Sequence, residues 1–427
     1  MPIKVTGFSV LDSEKEKKKT QKVFVDRDQA IAFFDHALEG LRKEPDQTDI
    51  IYYWGVGGIG KSHLINHLFR ETGGNPQTYE MVDNKETVLW RDQIRVKYNL
   101  DISQNEIEVL FSLRCKLKEE VKKRCQKDFD FLLFDYTLLK YEEKSDTEHK
   151  TNGSSNNSRT SNIADLLISE VNMICGKYNL LNPVSEISFV TVPVQLVTSA
   201  FKTVFQKAEM RKYMQDIESI EYYNSDRILK KLPWAFAMDV IRLEQMISKT
   251  GFRAMPIIIA IDTVERLFYD NPDNVNNPEY DISWLFGKPG AGDTTGLLYT
   301  IPSVLWVLCG RDRLNDEVLP GEFQFKLERL DASHVEEVIR TREITASDEI
   351  IAAINEVTEG VPAYLDICAE LCIEKEDAVT TEDFEGGITR IVNRYMQLMT
   401  DTDKENLHLM TSLGQWIDQD FIEISDL

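Results

Sequence analysis

Cysteine is scarce in this chain: 427 residues hold six. Cys115, Cys125, Cys175, Cys309, Cys368 and Cys372 form no Cys-x-x-Cys pair and no dense array, which speaks against a disulfide scaffold and fits a reducing compartment. Cys368 and Cys372 stand one helical turn apart, yet no second His/Cys pair accompanies them, so two buried thiols on a helix face are a stronger reading than half a metal site. Long apolar runs are missing too. No segment of about 18 apolar residues occurs, and the most apolar stretch, 187–205, is interrupted by Ser188, Thr191, Pro193, Gln195, Thr198 and Ser199. The first residues carry no apolar core of a secretory signal, so a cytoplasmic protein with no membrane partner is expected. Basic charge is short as well: 49 Lys and Arg against 72 Asp and Glu give a net charge of -23. Such a surface repels a phosphate backbone. Nucleic acid is therefore not an expected partner, and the dense basic run at 15–22 reads as a solvated tail. No internal repeat is visible.

What is present is ordinary globular material. Hydrophobic residues make up 42% and charged residues 28%, enough for a full core, and at roughly 100–200 residues per domain the length implies two or three domains. Residues 1–23 read as a flexible leader, followed by an amphipathic helix to Leu41. Asp49 to Trp54 is an apolar run ending at a glycine-rich loop, after which Leu64, Leu68 and Phe69 continue at helical spacing: strand, loop, helix. Residues 87–90 read as a strand, 111–125 as a charged helix and 129–139 as an apolar segment. The polar run at 140–162 has hardly an apolar side chain and is expected to be a mobile loop. Ile257-Ile258-Ile259-Ala260-Ile261 is apolar at consecutive positions, as a strand covered on both faces must be, and ends at Asp262. Val304-Leu305-Trp306-Val307-Leu308-Cys309 is a second such run, ending at Gly310-Arg311. Residues 331–375 read as three helices, and Ile388, Ile391, Tyr395, Leu398 and Leu413 suggest a further small helical domain.

Gly55-Val56-Gly57-Gly58-Ile59-Gly60-Lys61-Ser62 matches G-x-x-x-x-G-K-[ST], in which each position has a mechanical reason. Glycines let backbone N–H groups curl round phosphates, and the N-terminus of the following helix adds a partial positive charge. Lys61 then reaches the β and γ phosphates, and the Ser62 hydroxyl ligates Mg²⁺. The nucleotide-binding set is Gly55, Gly57, Gly58, Ile59, Gly60, Lys61, Ser62 and His63. Asp262, at the tip of the most apolar strand, is the expected Mg²⁺-side carboxylate. Glu265 is placed to orient or deprotonate a water attacking the γ-phosphate, or only to favour a helix dipole. Arg311 puts a guanidinium at the carboxyl end of the sheet, where ligands of open α/β folds sit. It is either a γ-phosphate sensor or a surface residue paired with Asp312 or Glu328. A guanine reader would show Asn-Lys-x-Asp; Asn84-Lys85-Glu86-Thr87 lacks the acid, so ATP is preferred to GTP. Gly360-Val361-Pro362 reads as a helix break of the kind that packs against a base, or as an ordinary turn.

Taken in order, Phe24-Val25-Asp26-Arg27, the loop at 55–62, residues 257–265, residues 304–311 and Gly360-Val361-Pro362 resemble the STAND class of signal-transducing P-loop NTPases. That class is related to the nucleotide-binding (NB-ARC) domains of plant immune receptors and apoptosome-forming proteins. Residues 129–136 and 232–239 resemble bacterial ATP-binding proteins that carry tetratricopeptide repeats behind the ATPase. The resemblance implies Lys61 and Ser62 at phosphate and Mg²⁺, Asp262 and Glu265 as the acidic pair, Arg311 as first sensor, Pro362 against adenine and Arg27 near the base. Two positions depart from it: the opening motif's usual glycine is Asp26, and the second acid lies three residues after Asp262 rather than beside it. Residues 408–416 resemble the opening of a winged-helix domain, which implies a truncated domain and a trigger sensed beyond Leu427.

The expectation is therefore an α/β chain. It comprises a doubly wound parallel-sheet P-loop NTPase domain (24–328), a C-terminal helical lid (329–383) and a partial winged-helix domain (384–427). As the resemblance implies, it is a slow ATPase switch using ATP/ADP and Mg²⁺, closed with ADP and forming a homo-oligomer with ATP and a trigger. Its output is open between bacterial antiphage defence and transcriptional regulation, and the acidic composition favours the first. Rivals of other classes are a housekeeping remodelling ATPase and an ATP-dependent scaffold.

Overall fold

The computed structural model describes residues 25–43, 49–69, 93–100, 105–152, 209–249, 256–269, 283–287, 296–301, 304–388 and 390. Five strands, β1 (Asp49–Trp54), β2 (Ile94–Asn99), β3 (Ile257–Asp262), β4 (Val304–Gly310) and β5 (Gln324–Lys326), form one sheet in the order β2-β3-β4-β1-β5. Every neighbouring pair is parallel, so all carboxyl ends open on one edge, with those of β1, β4 and β3 side by side.

Side chains alternate across a strand, and here the alternation splits one sheet between two cores. Ile50 and Tyr52 of β1, Ile257, Ile259 and Ile261 of β3, and Val304, Trp306 and Leu308 of β4 face one cluster. Ile51 and Tyr53, Ile258 and Ala260, and Leu305, Val307 and Cys309 face the other. That is why β3 and β4 are apolar at every position; each fully buried Ile or Leu contributes about 1.5–3 kcal/mol relative to exposure. Helices α1 (Asp28–Lys43) and α2 (Lys61–Leu68) cover the second face, and α3 (Glu106–Cys125), α4 (Leu132–Asn152) and α5 (Leu232–Lys249) the first. The molecule is thus an α/β fold with a parallel sheet.

The helices on the first face are tied by buried charge. Arg114 of α3 makes a bidentate pair with Asp135 of α4 at 2.6 and 2.8 Å, with both side chains at 0% exposure. Asp239 of α5, equally buried, accepts from the Phe134 N–H at 2.8 Å and pairs with Arg242. Asn105 caps α3 by accepting from the N–H groups of Ile107 and Glu108.

The expected mobile loop at 140–162 is corrected over 140–152, which continue α4. Its first turns are already nucleated on the core by Leu133, Phe134, Leu138 and Leu139, all at 0% exposure, and adding turns to a formed helix is cheap. The extension holds neither Gly nor Pro before Gly153, and the Glu148 carboxylate accepts from the backbone N–H and hydroxyl of Ser225. Residues 153–162 lie outside the described residues, as do the strand reading at 87–90, the leader at 1–23 and the winged-helix reading beyond residue 390. Strand β2 was not anticipated: Ile94-Arg95-Val96-Lys97-Tyr98-Asn99 is an edge strand with alternating burial.

Helices α6 (Ala332–Thr341), α7 (Asp348–Thr358) and α8 (Pro362–Lys375) enclose a core of their own around Val335, Ile339, Ile354, Leu365, Cys368 and Cys372. Asp331 caps α6 through the His334 N–H, Ser347 caps α7 through that of Ile350, and Pro362 occupies the first turn of α8. The turn before α8 is pinned to the segment that leaves β5. The Leu330 N–H donates to the Gly360 carbonyl at 2.9 Å, and a Cβ on Gly360 (φ 71°) would stand 1.9 Å from the Leu330 oxygen. Only glycine allows that approach, and it holds Pro362 over the glycine-rich loop. Among the described residues no helix is long and apolar enough to cross a membrane.

Candidate functional site

The loop at 55–60 is fixed at its mouth by its neighbours: the Leu327 N–H donates to Trp54 O at 2.8 Å and the Gly55 N–H to Gly310 O at 3.3 Å. Ile59, at 0% exposure, anchors the loop in the core of the second face, and Gly60 leads in the left-handed region (φ 96°) into the first residue of α2, Lys61. The loop is held from behind by Arg27, whose Nη2 donates to Ile59 O at 2.9 Å and Nη1 to Asp26 O at 2.7 Å. Asp26, where the resemblance puts glycine, has φ 52°. The position demands a left-handed backbone, which glycine adopts freely and aspartate tolerates.

Lys61 is 8% exposed. Its Nζ folds back on the loop, donating to Gly55 O at 2.6 Å and Val56 O at 3.1 Å. Burial pulls its pKa down, opposed most strongly by Glu265 and then by Cys309 and Asp262. The Ser62 hydroxyl hydrogen-bonds the carboxylate of Asp262, whose pKa burial pushes up against that bond.

Beyond β3 the chain turns at Thr263, a β-branched residue at φ 62°, a conformation costing on the order of 1–3 kcal/mol. Three bonds hold it: its N–H to Asp262 Oδ1 at 2.8 Å, its hydroxyl to Asn99 Oδ1 at 3.0 Å, and the next N–H, of Val264, to Cys309 O at 2.8 Å. The turn brings Glu265 to Arg311, with Nε 3.1 Å from Oε1. Glu265 is 9% exposed, and its Oε2 is buried without a hydrogen-bond partner among the described residues. Arg311 itself is 63% exposed. Its partner is neither Asp312 nor Glu328 but the acid with which it was grouped.

A cavity of about 480 Å³ lies between the loop and the helices α6 and α8. Arg27, Gly58, Ile59, Gly60, Lys61, Ser62 and His63 line one side of it and Pro362 the other. The two sides touch where the Ala363 N–H donates to Gly58 O at 3.1 Å, and a Cβ on Gly58 (φ 78°) would come within 2.8 Å of that of Ala363. Gly55, Gly57, Asp262, Glu265 and Arg311 are not among the lining residues. Lys61 and Ser62 belong to both groups and join the cavity to the acidic cluster.

Asp262 and Ser62 offer two oxygens already in contact, which suits Mg²⁺, an ion that takes one or two protein oxygens and completes its shell with phosphate and water. Among the described residues no group of three or more His, Cys, Asp or Glu could hold a metal alone. Four further polar residues line the cavity and carried no local signature: Asn66 of α2, Asn99, which pairs in register with Asp262, and Arg342 and Asp366 of the helical unit. Only the position of Asn99 at the end of an alternating strand, and of Asp366 one turn after Pro362, marked them. No family model matches the chain, and no curated protein matches it.

Proposed function

We propose that this chain is a STAND-class P-loop NTPase that binds ATP or ADP with Mg²⁺ in the cavity and hydrolyses ATP slowly, as a signal-transduction switch. What supports the reading most is a juxtaposition. The Gly58–Ser62 segment, with Lys61 at the start of α2, faces Asp262 and Glu265 on one side and Pro362, from a separately packed helical unit, on the other. The backbone donors of the loop and the N-terminus of α2 favour phosphate, and Lys61 exchanges its two carbonyl contacts for phosphate oxygens. Ser62 and Asp262 would hold Mg²⁺, which would supply charge neutralisation at the phosphates. Glu265 has an unpaired buried oxygen with which to accept a proton from an attacking water, and Arg311 keeps its other oxygen oriented. Pro362 packs against the base.

Because the cavity walls belong to two units with separate cores, a ligand that touches both biases how they sit together by its differential affinity for the two arrangements. In this proposal ADP holds the units closed, and ATP with a trigger releases the helical unit and exposes a surface for self-association in antiphage signalling. The test is chromatography of the nucleotide released on denaturing the purified protein, beside light scattering of the native sample with and without Mg²⁺–ATP. Bound ADP on a monomer and a larger mass with ATP are expected. No affinity for either adenine nucleotide in the presence of Mg²⁺ overturns the reading.

A further inference from the structure

Arg342 follows α6 as its cap residue and is 3% exposed. One Nη donates to Asp366 on α8, while its Nε is buried without a partner among the described residues. Both side chains line the cavity. An unpaired buried donor is unfavourable, and because this Nε has no open surface the pair meets the cavity through the Asp366 carboxylate and the rest of the Arg342 side chain. Asp366 keeps 55% of its side chain exposed, so it has carboxylate surface left to offer.

We propose that Arg342 and Asp366 read the edge of the nucleotide's base, as an adenine-selecting pair; this rests on the adenine-nucleotide reading of the cavity. The pair is electrically neutral as a unit, which makes it a poor seat for phosphate, whereas the loop offers the Lys61 ammonium and the N-terminus of α2. Around the pair the wall is apolar, built from Val25, Leu330, Val338 and Leu365, the surroundings of a flat heterocycle rather than of an anion. Adenine presents on both of its polar edges an exocyclic amine beside a ring nitrogen. A carboxylate acceptor next to a guanidinium N–H donor is the complement of that pattern. Guanine breaks the pattern on both edges, with a carbonyl in the amine's place. Asp366 lies four residues after Pro362 on α8, hence on the same helix face one turn away, so a ring against Pro362 has its edge within reach of the carboxylate.

The experiment deletes the amine from the ligand before it touches the protein. Calorimetry with Mg²⁺ compares ATP, purine-riboside triphosphate, GTP and inorganic tripolyphosphate. A hydrogen bond to a charged group contributes roughly 1.5–3 kcal/mol, so the intact chain should hold purine-riboside triphosphate roughly 10- to 100-fold more weakly than ATP, with GTP weaker again. Asp366→Ala should close most of the gap between ATP and the amine-free analogue while leaving tripolyphosphate binding unchanged. If that variant does not fold, the ligand series on the intact chain decides alone. Equal affinity for ATP and its amine-free analogue overturns the base-edge assignment and leaves the nucleotide site standing. Binding of neither ATP nor tripolyphosphate overturns both.

Discussion

Arg114 and Asp135 meet beneath the helices on the first face of the sheet with no exposure at all, and two guanidinium N–H groups find two carboxylate oxygens. At the strand tips Glu265 is nearly as buried, yet Oε2 has no partner among the described residues, and Lys61 turns its ammonium onto loop carbonyls. Both places bury charge, but only the Arg114–Asp135 pair is matched donor for acceptor. A completed pair fixes how helices sit and has nothing left to bind with, whereas an incomplete cluster keeps hydrogen-bonding capacity for an arriving ligand. The difference separates architecture from a site more sharply than burial does.

The contrast breaks if the two regions respond alike to mutation. Asp135→Ala strands a buried guanidinium and should lower the unfolding free energy by about 3–5 kcal/mol in a denaturant titration; a loss below about 1 kcal/mol would mean that the pair is not architectural. Lys61→Ala should do the converse. ATP affinity should fall by about 2–5 kcal/mol, the cost of truncating one partner of a buried charged contact, while the denaturation midpoint stays in place. A drop in stability matching the drop in affinity would erase the distinction.

Glu265→Gln preserves shape but not basicity, so ATP turnover should slow at least about 100-fold with nucleotide affinity little changed. Undiminished turnover would make the acid a partner of Arg311 and nothing more. A pH-dependent effect concerns Asp239, which burial pushes up to about 7, against the pull of Arg242 and the Phe134 N–H and with a further push from Asp135. An unfolded aspartate titrates near about 3.9. Between those values the folded chain binds a proton that the unfolded chain has released, so the contribution of Asp239 to stability falls as pH rises through that window. The unfolding free energy of the natural chain minus that of Asp239→Asn should therefore decline from about pH 4 to about pH 7, by at most about 1.4 kcal/mol per pH unit. A difference that does not vary with pH would show Asp239 ionised throughout.

Much of the molecule could be read without coordinates, and for local reasons. Strands β3 and β4 announce themselves because both faces are covered, and the three helices expected over 331–375 are found there. The 140–152 segment misled because its composition is polar, while its conformation was decided upstream, in turns already anchored on the core. Strand β2 was overlooked because an edge strand alternates and so lacks a continuous apolar run.

At the site, the residue types of the loop, the acid at the tip of β3 and the arginine after β4 are determined by sequence alone, because backbone conformation and strand burial each restrict what a position can hold. Which groups face one another was decided by tertiary structure. Arg311 chose Glu265 over two acids nearer in sequence or chemistry, because the strained turn at Thr263 swings that acid across the end of β4. Arg342 and Asp366 converge on the cavity only because α6 and α8 pack around one core and Gly360 lets the Leu330 backbone approach. A pairing between side chains on different elements has no spacing of its own in the chain. It exists only once packing has brought the elements together.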